Sequence, residues 1–189
     1  MELRLDGKVA LITGGSRGIR LATAKRFAEA GARVMITSRN EEALEKATNE
    51  IPGEAAWFVA NAGEPDQAKA CFEATMERCG SIDILVNNAG TNAYFGPIAE
   101  IDLPRATKTV QLNQMAVLVW SQLAASASMR ANGGSIINMA SIGGYQAEPG
   151  IGWYNVTKAA VIHLTRQPAG ELGPEVRVNA IAPGDLCPS

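Results

Sequence analysis

Six short apolar runs punctuate the chain: KVALIT (8–13), ARVMITS (32–38), AAWFVA (55–60), DILVNN (83–88), SIINMA (135–140) and VRVNAIA (176–182). Each is bounded by Gly, Pro, Asn or Asp, is rich in β-branched residues and is apolar at both odd and even positions. Successive side chains of a strand point to opposite faces, so this pattern predicts strands covered on both sides. Longer amphipathic stretches lie between them and read as helices. One follows Gly18 to Ala30 and is closed by Gly31; others cover 41–50, 65–79, 103–130 and 152–172, the last closed by Gly173-Pro174. Strands alternating with helices predict parallel strands joined by right-handed crossovers. The expected fold class is α/β, a doubly wound parallel sheet with helices on both faces. No repeat, linker or low-complexity tract breaks the alternation, so residues 1–189 read as a single domain.

Composition narrows the function classes. With 189 residues and 47% hydrophobic content the chain can bury a core. A net charge of -2 without any Lys/Arg run gives no electrostatic footprint for nucleic acid. No apolar stretch approaches the ~20 residues that span a bilayer. The start, MELRLDGKVALIT, has too short an apolar run for a signal peptide, so a cytoplasmic protein is expected. Cys71, Cys79 and Cys187 are odd in number and lack metal-ligand spacing, which suits reduced thiols and predicts no metal site. His163, the one histidine, lies roughly opposite Tyr154 on its helix and reads as packing or solvent-facing. Trp57 and Trp120 read as core filling, while Trp153 could flank a substrate site.

The first predicted strand runs directly into Thr13-Gly14-Gly15-Ser16-Arg17-Gly18-Ile19 and then a helix. Glycines in such a turn let backbone N–H groups approach a pyrophosphate on the positive end of the helix. A glycine-rich turn also serves strand-to-helix geometry with no ligand, so its place after the first strand matters. After the second strand, an NAD-preferring fold puts an acid on the ribose 2′-OH, but here stand Thr37-Ser38-Arg39. Arg39 can pair with a 2′-phosphate, Ser38 can donate to it, and Arg17 can add positive charge. The other reading of Arg39 is a solvated loop cation.

Tyr154 and Lys158 are four residues apart in a predicted helix and share a face. A phenol of pKa near 10 is a poor base at neutral pH, and a neighbouring ammonium stabilises its anion. The same spacing also arises by chance with the tyrosine packed and the lysine solvated. Ser141 follows the fifth strand, at the carboxyl end where ligands of α/β sheets bind, and its hydroxyl could hold a carbonyl or alkoxide.

Thr13–Ile19, Asn87-Asn88-Ala89-Gly90 after the fourth strand, Asn113, Ser141, Tyr154-x-x-x-Lys158 and Pro183-Gly184 resemble, in order, the signatures of the short-chain dehydrogenase/reductase family. The resemblance runs over essentially the whole chain and implies a Rossmann sheet lacking the family's last strand. It implies reversible hydride transfer between a nicotinamide and a carbonyl or alcohol substrate. Tyr154 would be the acid/base, Lys158 would lower its pKa and hold the nicotinamide ribose, Ser141 would polarise the carbonyl, and Asn113 would hold a relay water. The cofactor would contact Gly14, Ser16, Arg17, Gly18, Ile19, Ser38, Arg39, Asn61, Asn88, Ala89, Gly90, Tyr154, Lys158, Pro183 and Gly184. NADP(H) is the preferred cofactor on the strength of Arg39, with NAD(H) possible. A homo-oligomer built on the long helices is expected by resemblance alone.

Several positions depart from the family pattern. Arg20 stands where the third glycine of the loop allows close helix packing, so its bulk is expected to escape to solvent or push the helix away, the alternative being that its guanidinium reaches a phosphate. Pro168 falls inside the predicted helix 152–172 at a cost of ~3 kcal/mol, which predicts a kink near its end. The chain ends soon after Pro183-Gly184, which leaves the sixth strand as an edge and predicts weaker substrate enclosure. The family's cofactor-contacting Thr is not evident, and Pro188 or Ser189 occupies that neighbourhood. An alternative expectation is therefore a catalytically impaired or inactive cofactor-binding fragment. A related lyase chemistry is a third possibility, opposed by Lys158, because those relatives carry Arg there. The substrate stays open beyond a weak lean toward 3-oxoacyl thioesters, which is fold-level analogy.

Overall fold

The computed structural model of the chain describes residues 4–184. Six strands form one parallel sheet: β1 (Val9–Thr13), β2 (Arg33–Ser38), β3 (Ala55–Val59), β4 (Ile84–Asn87), β5 (Gly134–Met139) and β6 (Val176–Ile181). Their order is β3-β2-β1-β4-β5-β6, so the direction of winding reverses between β1 and β4. A crevice opens there at the carboxyl ends of the strands, the position at which such sheets bind ligands.

Strand parity explains the two buried faces. Leu11, Met35, Leu85 and Ile136 point into one core with Phe72 and Trp120, whereas Ala10, Ile12, Val34, Ile36 and Val86 point into the other with Leu44. The first core is covered by α3 (Pro65–Cys79) and α5 (Ala116–Ala124), the second by α1 (Gly18–Glu29) and α2 (Glu41–Asn49). Trp120 is fully buried, lies 5.4 Å from the Phe72 ring and donates its indole N–H to the Ala62 carbonyl at 3.0 Å. Burying side chains of this size contributes ~1.5–3 kcal/mol each. Cys71 lies in the same core, where burial pushes its thiol up to about 12 and leaves it inert.

The stretch read as one helix over 103–130 is more articulated. It consists of α4 (Leu103–Val110), a wide π-type turn at Gln111–Met115, α5, a second such turn at Ala125–Met129, and α6 (Arg130–Asn132). Residues per turn change where Asn113 and Ser128 reach buried partners, a local tertiary demand that the apolar period does not record. The kink expected at Pro168 is not a break: α7 (Gly152–Leu172) continues through it. Ala169 and Leu172, just beyond the proline, pack against the first core and hold the turn in place of the lost backbone bond. No described helix is long and apolar enough to cross a membrane. Cys187 and the Pro188/Ser189 neighbourhood lie outside the described residues.

Candidate active-site cleft

The cleft at the switch point is built by three strand ends and two helices. Thr13, the last residue of β1, accepts at its Oγ1 from the backbone N–H groups of Asn88 and Ala89, both at 2.9 Å, and donates to the Val86 carbonyl at 3.3 Å. One hydroxyl thus ties the glycine-rich turn to the segment leaving β4. Within that turn Gly14 and Gly18 have φ of +71° and +59°, which L side chains rarely adopt. The helix that follows starts without a side-chain cap, whereas α2 is capped by Asn40 and α4 by Asp102. First-turn N–H groups of α1 are left for another acceptor.

Below the turn, Asn87 Nδ2 donates to Ser121 Oγ at 3.0 Å and to Asn138 Oδ1 at 2.9 Å, and Asn138 Nδ2 donates to Thr165 Oγ1 at 3.1 Å. These buried bonds fasten β4, β5, α5 and α7 together. Asn113 braces the next layer: its Oδ1 accepts from Thr91 N at 2.8 Å, and its Nδ2 donates to the Thr91 carbonyl and to Thr157 Oγ1, each at 2.9 Å.

Ile19, Arg20, Asn88, Gly90, Ser141, Tyr154, Lys158, Pro183 and Gly184 line a cleft of about 390 Å³. Ser141 arrives from the end of β5, where its Oγ accepts from Gly143 N at 3.1 Å; Tyr154 and Lys158 arrive from the first two turns of α7. Lys158 is buried, donates to the Met139 carbonyl at 2.6 Å, and holds its Nζ 5.5 Å from the Tyr154 ring centre. A Cβ on Gly90 would stand 3.3 Å from Asn113 Oδ1 and 3.6 Å from Lys158 Nζ, so these two groups face one small space.

The electrostatics differ from the expected pattern in one respect. Burial raises the Tyr154 phenol above its ordinary value of 10.0, opposed by the Ser141 hydroxyl bonded to it and by the charge of Arg20. The Lys158 ammonium is bonded to Met139, and burial, with the Arg20 charge, pushes Lys158 down to about 8. Arg20 is half-buried: its side chain lies over Gly14 and lines the cleft. Burial and the Arg17 charge lower its pKa, while Tyr154 acts the other way.

Among the remaining candidate residues, Ala89 closes on Gly14: a Cβ there would be 3.4 Å from the Ala89 Cα. Arg17 and Gly18 are exposed at the rim and Ser16 is half-buried. Arg39 and Asn61 line a second cleft with Glu64, Thr107, Lys108 and Gln111. Ser38 donates to the Asn40 carbonyl at 3.4 Å. Trp153 is tied to α4, its indole N–H donating to the Ala106 carbonyl at 3.0 Å, and His163 is exposed. Thr91, Thr157 and Lys108 escaped the sequence reading and carried no signal in it, whereas Thr13 was found as part of the glycine-rich turn but without its bracing role. No cluster of three or more metal-ligating side chains occurs among the described residues.

The chemistry of the cleft suits an anionic dinucleotide. Asn88 is 8% exposed, and its Nδ2 has no acceptor within the protein. Uncapped N–H groups and three cations, Arg17, Arg20 and Lys158, surround the same place. A doubly wound sheet with this turn and this crevice defines a Rossmann-type dinucleotide fold. A model of the short chain dehydrogenases matches residues 8–187, and the chain belongs to that family. It is 38% identical over 186 residues to the "dehydrogenase/reductase SDR family member 4" of Caenorhabditis elegans, covering 96% of this chain and 72% of that protein. The mouse protein of the same name, from Mus musculus, is 33% identical over 184 residues, with 95% and 66% covered. A 3-oxoacyl-acyl-carrier-protein reductase of Thermotoga maritima is 37% identical over 188 residues, with 96% and 75% covered. The chain thus spans about two thirds of the length of its mouse relative. Among solved structures, an NAD+-bound xylitol dehydrogenase superposes with a TM-score of 0.92 at 34% identity, covering 97% of this chain and 72% of that one. A levodione reductase gives 0.92 at 34% identity, covering 96% and 72%.

Proposed function

We propose that the protein is an NADP(H)-preferring oxidoreductase that interconverts a carbonyl and an alcohol, with Tyr154 as the acid/base. The observation that carries this reading is the meeting of Ser141, Tyr154 and Lys158 with the uncapped start of α1 in one cleft. The nicotinamide supplies or accepts the hydride at its C4 when bound. Ser141 and Tyr154 hydroxyls bind the substrate oxygen and orient its carbon. In reduction the Tyr154 hydroxyl gives its proton to that oxygen as the carbon gains the hydride; in oxidation the phenolate removes it.

Lys158 holds positive charge beside the phenol and reprotonates it. Asn113 Oδ1 and Lys158 Nζ face the same space beside Gly90, and a water held there by both is the proposed proton relay. Gly14, Ser16, Arg17, Gly18 and Ile19 would hold the pyrophosphate, with Asn88, Ala89, Gly90, Pro183 and Gly184 walling the nicotinamide half. Ser38, Arg39 and Asn61 would hold the adenosine end, and Lys108 adds a second cation for a 2′-phosphate. The groove of about 620 Å³ between α5 and α7, lined by Val117, Leu118, Leu164 and Pro168, would pack on a second copy; light scattering tests this.

The test is NADPH oxidation with a panel of ketones, aldehydes and 3-oxoacyl thioesters. Turnover that disappears in Tyr154→Phe supports the reading, and turnover unchanged in that variant overturns it. A second reading, a dinucleotide binder without turnover, is favoured by Arg20 standing beside Tyr154 and Lys158. NADPH binding by a folded chain that turns over none of the panel would select it.

A further inference from the structure

We propose that Arg20 is a cofactor-binding residue of this chain, a guanidinium placed to neutralise the nicotinamide-side phosphate of the dinucleotide. This rests on the reading that the cleft takes a nicotinamide dinucleotide. The family pattern carries a glycine here, so the role belongs to this chain's own sequence.

Side chains in the first turn of a helix lean back toward its N-terminus. Arg20 does so: its Cδ lies 3.2 Å, and its Nη1 3.4 Å, from the point where a Cβ on Gly14 would stand. The stem therefore lies along the glycine-rich turn, and the guanidinium lines the cleft that also holds Asn88, Tyr154 and Lys158. Among the described residues no carboxylate pairs with it, and none lines this cleft. Its nearest charged company is cationic, for Arg17 and Arg20 repel one another and Arg20 disfavours the charged form of Lys158.

A second observation points to the same ligand. Asn88, itself buried, lines the same cleft with an Nδ2 that has no acceptor in the protein. An arginine fork, an unpartnered amide donor and free helix N–H groups thus border one cleft that no carboxylate lines. A phosphate diester supplies oxygens to all three and relieves the crowding of positive charge. The opposing possibility is a plug: the same side chain crosses space that a pyrophosphate would use. The two differ in the sign of what removing Arg20 does.

The experiment is a fluorescence titration of NADPH and NADH with the parent chain, Arg20→Gln, Arg20→Lys and Arg20→Gly. Far-ultraviolet circular dichroism confirms that each is folded. Adenosine 2′,5′-bisphosphate, which lacks the nicotinamide-side phosphate, serves as a competitor. Arg20→Gln is expected to weaken both dinucleotides by about tenfold or more, with Arg20→Lys between, the loss of one charge-assisted bond. Binding of the bisphosphate is expected to change less than about twofold, because its phosphates lie elsewhere. Equal or tighter dinucleotide binding by Arg20→Gly or Arg20→Gln overturns the proposal and leaves the cofactor reading intact. Equal weakening of the bisphosphate also overturns it, since the effect is then not local. Absence of dinucleotide binding in all four folded chains overturns both readings.

Discussion

Lys158 Nζ donates to the carbonyl oxygen of Met139, the last residue of β5, at 2.6 Å. The ammonium is thereby anchored to the sheet beneath Tyr154, buried and with no carboxylate partner among the described residues. One carbonyl dipole does not offset that loss of hydration, which is why the group sits at about 8 rather than at 10.5. The consequence for stability follows from proton counting. Between about pH 8 and pH 10 the unfolded chain binds more protons at this site than the folded one, so stability from this group rises with pH. Below pH 8 the destabilisation is fully present. In urea titrations, Lys158→Met is expected to remove a rise on the order of 2 kcal/mol across that window. Identical slopes in the two proteins would show that Lys158 titrates normally.

Tyr154→Phe retains the ring against Lys158 and removes the hydroxyl proposed to exchange a proton with the substrate oxygen. Turnover is expected to fall by about 10²–10⁴, the usual worth of a positioned acid/base. NADPH affinity is expected to hold within about threefold, since the change removes only a single hydroxyl contact. Measuring kcat and cofactor Kd on the same preparation separates these effects. Parallel losses in both would reduce Tyr154 to a packing residue.

Arg39 and Lys108 share the cleft that also holds Asn61. Arg39→Ala is expected to weaken NADPH by about tenfold and leave NADH nearly unchanged, because only the 2′-phosphate carries the extra charge. Lys108→Ala should act in the same direction by a smaller factor. Rising salt should narrow the difference, as it screens exposed pairs. Equal losses for both cofactors would place the two cations outside the 2′-phosphate site.

Pro168 denies the Leu164 carbonyl its helical partner inside α7, yet the helix continues. Pro168→Ala restores that donor and is expected to stabilise the chain by about 1–3 kcal/mol, less the flexibility regained by the unfolded state. Thermal unfolding by circular dichroism measures it. A lower midpoint would mean that the proline ring, which lines the groove beside α5, contributes more through packing than it removes.

The sheet and its order of elements were legible because two-sided burial leaves unbroken apolar runs, as at KVALIT and SIINMA. Ser141, Tyr154 and Lys158 were legible as motif positions, and the structure brings them into one cleft. What they touch was not. Lys158 bonds Met139, nineteen residues away in sequence, and no local spacing encodes that contact. Arg20 is a similar case: its bulk conflicts with a glycine position, and the path over Gly14 exists only once the turn and α1 are folded together. The π-type turn that sets Asn113 against Thr91 and Thr157 answers partners distant in sequence, which periodicity within the helix does not encode.

The most direct measurement is a titration of the purified, folded chain with NADPH and then NADH, followed by nicotinamide fluorescence. Saturable binding of both, tighter for NADPH, is the expected result for a dinucleotide cleft at the β1–β4 switch point with cations at its adenosine end. A chain that is folded by circular dichroism and binds neither cofactor contradicts it.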